Sequence, residues 1–517
     1  MVLATSEGSG IPPELVSFLG QPGGRSVIIK GGAGTGKTTL GLEILEKLGM
    51  EERSFYLSTR VSDDALLRQF PWLKTVESRN RLYDAGKIFL ESLAQGEREG
   101  TPPASPQARE KVAQARSLLR SLGEESTRPR HVDRTQLGSL LQRSRMPELE
   151  HMYERIERVL PEKALLVVDS LEGVTHKYGL EMEELVMALQ KDLAENSNTN
   201  VVMVLEKPEA GGIEYLVDGL VSLSREEVDE RRIRHLRLEK LRATAIPRPR
   251  YALTLAGGRF RALGLGALAR RDALAPPSRP WTPLRDSPTH FSTGIPDFDA
   301  LLGGGFRRGS YNGFELDVNV SIEDYYRLFA PVFLNFLAQG RGILGVLSGG
   351  EAPESLREQL IRYVPARIFD DRVRITDYFA AEPKAPYILP MLRAGREDAQ
   401  RALQSAERAV RGEEDPQPYL EYTGFDTLEY LQGDQLAIRT LFMGVERTNL
   451  MGDVGLGLLK PGLSSTAEIV NMMETYFRLV SIDNTPCLYG VRPRTMLYAI
   501  VEDPEKGPPQ VRLIPMV

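Results

Sequence analysis

Two kinds of segment alternate along the first 75 residues. Ser26 to Lys30 (SVIIK) is a short apolar run ending in glycines, the pattern of a strand buried on both faces of a parallel sheet. Thr38 to Leu48 follows with Leu40, Ile44, Leu45 and Leu48 on a helical period. Ser54 to Thr59 (SFYLST) predicts a second strand. Farther on, Ala164 to Asp169 (ALLVVD), Asn200 to Leu205 (NVVMVL), Gly219 to Leu223 and Arg234 to Leu241 read as further strands. Buried strands alternating with helical stretches predict an α/β fold in which helices flank a mainly parallel sheet.

Between about residues 76 and 162 the pattern changes. Gly96 to Arg109 is charged and contains Pro102, Pro103 and Pro106, which predicts a loop. Helical spacing flanks it, first in Val112, Ala115, Leu118, Leu119 and Leu122, then in Leu149, Met152, Ile156 and Leu160. The stretch is expected to be a helical insertion between strands. Pro276 to Pro288 carries five prolines and few apolar residues, which marks a linker. The expected division is a first domain at 1–264, a linker at 265–290 and a second domain at 291–517.

The second half weakly echoes the first. Val168-Asp169-Ser170-Leu171-Glu172 recurs as Phe425-Asp426-Thr427-Leu428-Glu429, and Leu205-Glu206-Lys207-Pro208 as Leu458-Leu459-Lys460-Pro461. Two echoes in the same order favour a duplicated domain.

Composition narrows the class. The chain has 517 residues, enough for two or three full cores, and its 41% hydrophobic and 26% charged content is that of a soluble globular protein. A net charge of −6 argues against a surface built to coat nucleic acid. The single cysteine, Cys487, excludes an intramolecular disulfide and fits a reducing cytosol, so a cytoplasmic location is expected. No leader pattern opens the chain, no apolar run is long enough to span a membrane, and the five histidines show no zinc-type spacing.

The chemistry concentrates at Gly31-Gly32-Ala33-Gly34-Thr35-Gly36-Lys37-Thr38, followed by Thr39, a complete G-x-x-x-x-G-K-[ST] motif between a strand and a helix. Glycines let the backbone turn tightly and aim its N–H groups at phosphate oxygens. Lys37 is expected to reach the β- and γ-phosphates of ATP, and the Thr38 hydroxyl to ligate Mg²⁺. The helix that starts here adds the positive end of its dipole. Asp169, closing a strand, is the expected second Mg²⁺ group; its alternative role is to cap the next turn. In Arg234 to Arg242 (RHLRLEKLR), strand alternation places Leu236, Leu238, Lys240 and Arg242 on one face. That face ends in two cations, suited either to a neighbouring subunit's ATP or to solvent.

These motifs resemble the KaiC-like branch of the RecA-like ATPases. Ser292-Thr-Gly-Ile-Pro-Asp-Phe-Asp-Ala-Leu-Leu-Gly-Gly-Gly305 through Gly309-Ser310 is similar to the motif that precedes a phosphate loop in that family. Lys240-Leu241-Arg242 resembles its lysine-x-arginine strand, which implies action on the adjacent subunit's nucleotide and a ring-like homo-oligomer. Tyr56-Leu-Ser-Thr-Arg-Val-Ser62 with Phe70-Pro-Trp-Leu73 is similar to the gas-vesicle regulator GvpD group. The implied fold is two RecA-like domains.

There are two departures. The family's paired glutamates after the second strand are replaced by Thr59-Arg60, leaving Asp63, Asp64 or Glu172 as substitute bases. After Gly309-Ser310 the phosphate loop is replaced by Asn312-Gly-Phe-Glu-Leu-Asp-Val-Asn-Val320, where Glu315 and Asp317 would repel phosphate. The second domain is thus expected to be a degenerate copy with a structural or partner-binding role. The expected function is Mg-dependent ATP binding with slow hydrolysis driving a conformational or assembly switch. The alternative is a non-hydrolysing, nucleotide-gated regulator of a protein partner such as a transcription factor. A recombinase-like DNA-binding ATPase is a third, less favoured reading, and it predicts salt-sensitive DNA affinity.

Overall fold

The computed structural model describes residues 10–49, 52–73, 81–98, 132, 134–141, 145–209, 211–264, 279–378, 382, 385–391, 396–412, 414–503 and 510–517. The helical pattern predicted over 112–122, most of the loop predicted at 96–109 and the first part of the proline-rich segment lie outside these residues. The chain divides into two compact units, residues 1–265 with Val517, and residues 266–516.

The first unit is built on a nine-stranded sheet. Its strands are β1 (Ser26–Gly31), β2 (Ser54–Ser58), β3 (Leu82–Asp84), β4 (Ala164–Asp169), β5 (Thr199–Val204), β6 (Gly219–Val228), β7 (Arg231–Leu241), β8 (Arg250–Thr254) and β9 (Arg261–Ala262). They lie in the order β3-β2-β4-β5-β1-β6-β7-β8-β9. Strands β3 to β6 pair in parallel and β6 to β9 antiparallel.

Alternation along the central strands feeds two cores. Ile28, Leu166, Val168, Val201, Met203 and Leu220 face one side, packed with the helices Pro147–Val159 and Leu171–Tyr178. Val27, Ile29, Leu165, Val167, Val202 and Val221 face the other, beneath the helices Pro13–Gly20 and Lys37–Leu48. Burial on both faces explains why these strands read as continuous apolar runs. Within the stretch predicted as a helical insertion, Leu82–Asp84 adds an edge strand to the sheet, beside the helices Ala85–Arg98, Thr135–Leu141 and Pro147–Val159.

The second unit carries a ten-stranded sheet. Its strands are β12 (Ser310–Leu316), β13 (Ile343–Val346), β14 (Val373–Asp377), β15 (Ile388–Pro390), β16 (Leu420–Gly424), β17 (Val454–Leu459), β18 (Thr475–Ile482), β19 (Thr485–Arg492), β20 (Tyr498–Asp503) and β21 (Gln510–Pro515). A two-stranded ladder, β10 (His290–Phe291) with β11 (Phe306–Arg307), precedes it. The sheet order is β15-β14-β13-β16-β17-β12-β18-β19-β20-β21. Position for position this repeats the first sheet, with β12 in the place of β1 and β16 in the place of β4. Strand β15 is an addition at the outer edge. Both sheets are mainly parallel and flanked by helices, the α/β architecture expected from the strand pattern.

The Ser292–Gly305 motif has a structural use here. Asp299 accepts hydrogen bonds from Thr293 N (2.7 Å), Thr293 Oγ1 (2.6 Å) and Ser292 Oγ (2.5 Å). Gly305 has φ +106°, and a Cβ there would lie 2.1 Å from the Phe291 carbonyl oxygen, so only glycine fits. The proline-rich stretch from residue 279 on is tied to the helix Ile322–Ala338, because fully buried Asn335 accepts Leu284 N (2.8 Å) and donates to Leu284 O (3.3 Å).

Candidate nucleotide site

The predicted phosphate loop joins β1 to the helix Lys37–Leu48. At Gly31, φ is +155° and a Cβ would stand 2.4 Å from the Leu223 carbonyl oxygen on neighbouring β6. The backbone can turn here only without a side chain. Thr35 Oγ1 donates to Gly32 O at 2.9 Å and closes the loop on itself. Gly36 caps the helix in the left-handed conformation. Among these residues Gly32, Ala33 and Gly34 form the arc, and Thr39 is buried in the first turn of the helix.

Lys37 is buried and curls back over this loop, donating to Gly31 O (2.7 Å) and Gly32 O (2.8 Å). Burial pulls its ammonium below the ordinary lysine range, and the negative charges of Glu206, Asp169 and Glu172 oppose that shift. The next side chain, Thr38, donates from Oγ1 to Asp169 Oδ2 at 2.7 Å. The same carboxylate oxygen accepts the Tyr56 hydroxyl at 2.6 Å. Burial, followed by the Asp169 charge, pushes the Tyr56 phenol far up, so it stays a donor. Two sequence-predicted metal groups 131 positions apart thus meet at hydrogen-bond distance. A hydroxyl beside a carboxylate, next to a lysine and a ring of backbone N–H groups, is a donor set that fits Mg²⁺ and a polyphosphate.

The two residues directly after β2, Thr59 and Arg60, carry no carboxylate. Thr59 Oγ1 is committed to the Ser170 backbone, accepting its N–H and donating to its carbonyl, both at 2.9 Å. Arg60 is ion-paired to Glu206. Asp63 pairs with Lys87 at 3.3 Å, and Asp64 sits beside it in the first turn of the helix Asp63–Gln69. Glu172 accepts Glu206 N (2.7 Å) and Lys207 N (3.4 Å) on Oε1, while its Oε2 is buried without a hydrogen-bond partner.

Lys240 and Arg242 lie away from the loop. Strand β7 runs antiparallel to β6, so its last residues sit by Gly219 and Leu220, whereas Gly31 pairs with Leu223 at the other end of the ladder. Lys240 Nζ donates to Glu214 O (3.1 Å) and Val217 O (2.6 Å), and Arg242 pairs with Asp218 at 2.8 Å. The expected common face is corrected by a bulge. Lys240 opposes Leu220 while Leu238 opposes Val221, so Glu239 is an extra residue. Leu220 and Val221 face opposite cores, and Lys240 therefore turns away from Leu236 and Leu238.

Three residues near the site were not picked out as site residues from the sequence. Tyr56 and Glu206 border Asp169 and Lys37, and Arg234 Nε donates to Gly34 O at 3.1 Å. Glu206 had a usable signal, since it follows a parallel strand as Asp169 ends one, and such strand ends are where α/β sheets place ligands. Tyr56 and Arg234 had none, being interior strand residues.

In the second unit the place of the phosphate loop is taken by residues 317–321. Ser321 starts the next helix with a capping box formed with Asp324. Glu315 is held by Tyr476 and by Arg478 (3.0 Å), and Asp317 accepts Val318 N at 2.7 Å.

A sheet of this order with a phosphate loop after β1 and a carboxylate ending β4 defines a RecA-like P-loop domain. Residues 10–259 match the family described as ATPase: KaiC, and the first unit is a KaiC-like ATPase domain. Residues 280–388 match the family described as GvpD basic region 2. Over nearly its whole length the chain is similar to two proteins of Halobacterium salinarum. It is 26% identical to Protein GvpD2, covering 97% of this chain and 95% of that protein. It is 24% identical to Protein GvpD1, covering 98% and 96%. Among the described residues no helix is long and apolar enough to cross a membrane, and no cluster of metal-ligating side chains stands apart from this site.

Proposed function

We propose that this protein binds Mg·ATP on the 31–38 loop and hydrolyses it slowly, using the nucleotide as a switch for a regulatory interaction. The observation that carries this reading is the 2.7 Å contact between Thr38 and Asp169 beside Lys37. Bound Mg²⁺ would neutralise charge on the phosphate oxygens. The chain's own part is to hold and orient. Lys37 exchanges two carbonyl partners for phosphate oxygens, Thr38 and Asp169 turn their oxygens to the metal, and Tyr56 keeps the carboxylate aligned. Slow turnover follows from the end of β2, where Thr59 is bound to backbone and Arg60 is neutralised by Glu206.

Lys240 and Arg242 serve as trans-acting groups in this reading, because in their own chain they lie at the other end of the sheet from the loop. A ring-like homo-oligomer then completes the site. The regulatory target is a protein, in keeping with the resemblance to GvpD, and the degenerate second unit is the surface proposed to meet it.

A second reading, nucleotide binding with no turnover, is favoured by Thr59 and Arg60 directly after β2, the one held by the Ser170 backbone and the other by Glu206. Phosphate release and ATP binding measured for wild type, Lys37→Ala and Lys240→Ala/Arg242→Ala decide between them. Turnover abolished in both variants supports the slow ATPase with a trans-acting pair. ATP binding lost in Lys37→Ala, with no turnover in wild type, supports the binding-only switch. Undiminished ATP binding in Lys37→Ala overturns both.

A further inference from the structure

Arg60 reaches across the mouth of the nucleotide site. The parallel register sets the ends of β2, β4 and β5 level, with Ser58 beside Asp169 and Asp169 beside Val204. Neighbouring strands lie about 4.8 Å apart, so the backbone after β2 is about 10 Å from that after β5. Arg60 follows the end of β2, yet its guanidinium meets Glu206, two residues past β5. The side chain therefore lies across the end of β4, where Asp169 and Ser170 stand.

Glu206 in turn stands near the phosphate lysine. Burial lowers the Lys37 pKa, and of the charges that oppose that fall Glu206 comes first, ahead of Asp169 and Glu172. Its Oε1 lies 3.4 Å from Ser170 Oγ, and its Oε2 holds Arg60. Lys37 is the group that reaches the terminal phosphates in a loop of this type. The guanidinium is thus parked one carboxylate away from the place of the γ-phosphate. The pair is weakly held, since the Arg60 side chain is 54% and that of Glu206 37% exposed. A terminal phosphate carries more charge than a carboxylate and fits the two-pronged guanidinium as well.

We propose that Arg60 is the residue that tells ATP from ADP: it leaves Glu206 for the γ-phosphate of ATP bound in its own chain, and returns to Glu206 when that phosphate is gone. The inference rests on Mg·ATP binding at the 31–38 loop and adds the group that reads its last phosphate. It needs no neighbouring subunit, unlike the action proposed for Lys240 and Arg242.

Calorimetric titration of the full chain with Mg²⁺ and either ADP or β,γ-imido-ATP, a triphosphate that is not hydrolysed, tests this. Arg60→Ala should weaken the triphosphate by about tenfold and ADP by less than about twofold. Arg60→Lys, which keeps the charge without the fork, should recover part of the loss. A bare Glu206 would also repel phosphate, so the comparison is repeated on Glu206→Gln. There, removing Arg60 should again cost the triphosphate about tenfold. A double variant as tight as Glu206→Gln alone shows that Arg60 only shields Glu206, and overturns the proposal. Equal loss for both nucleotides in Arg60→Ala, or no loss, overturns it as well. A wild type that binds neither nucleotide sinks the nucleotide reading itself, and this inference with it. Both side chains are partly exposed, and circular dichroism checks that the variants fold.

Discussion

Removing one hydroxyl tests the nucleotide site without disturbing its packing. In Tyr56→Phe the ring keeps its place in the core, where it is fully buried, and only the 2.6 Å hydrogen bond to Asp169 Oδ2 is lost. Hydrogen bonds to charged groups contribute about 1.5–3 kcal/mol. The loss should fall at the low end, because the same carboxylate oxygen still accepts Thr38 at 2.7 Å. A destabilisation of about 1.5 kcal/mol lowers the melting temperature of a unit of this size by about 3–6 °C. The second readout is the Mg²⁺ dependence of ATP affinity, measured by titration calorimetry. If Tyr56 holds Asp169 in place for the metal, ATP affinity with Mg²⁺ should fall by about five- to tenfold, a share of the same interaction energy. Affinity in EDTA should be unchanged, since Tyr56 touches the carboxylate and not the loop. An unaltered melting temperature together with an unaltered Mg²⁺ effect would refute the reasoning.

Three further outcomes are expected. If Glu172 polarises the attacking water through its unpartnered oxygen, Glu172→Gln should cut phosphate release by at least about a hundredfold with ATP affinity retained; equal turnover removes it as the base. Phe314→Ala should cost about 3–5 kcal/mol in chemical denaturation of the second unit, since Phe314 is fully buried against the rings of Phe298, Phe306, Phe329 and Phe477; a loss under 1 kcal/mol would contradict that packing. Lys163 donates to Leu19 O and Gln21 O, and burial with the nearby Arg25 charge lowers its pKa to about 8. The unfolded chain, at about 10.4, binds more protons between those values, so this group destabilises the fold at pH 7 and the penalty disappears as pH rises through that window. Wild type should therefore gain stability relative to Lys163→Gln between pH 8 and 10; parallel melting curves would show that the shift is absent.

Much of the first sheet could be read locally because its strands are buried on both faces and its phosphate loop is contiguous. Runs such as SVIIK and ALLVVD need no distant partner to be recognised, and the structure starts and ends β1, β2, β4 and β5 within about a residue of the predicted bounds. The three-residue strand β3 was not legible, since a segment that short carries no period. The echo of Asp169 by Asp426 was legible but misleading in register. Asp169 ends β4, whereas Asp426 lies in the first turn of the helix Phe425–Gln432, 3.3 Å from Lys460. What repeats between the halves is the order of strands, and tertiary pairing holds that order after side chains have drifted.

The chain's local pattern was thus sufficient for the fold class and for the strand, glycine turn and helix of residues 26–48, because each depends on residues close together in sequence. Pairings across the sheet were decided only by tertiary structure. Contact between Thr38 and Asp169, the commitment of Arg60 to Glu206, and the place of Lys240 at the far end of the sheet depend on strand order and on one extra residue at Glu239. A single inserted residue reverses which face a strand's side chains take, and no local pattern reports it.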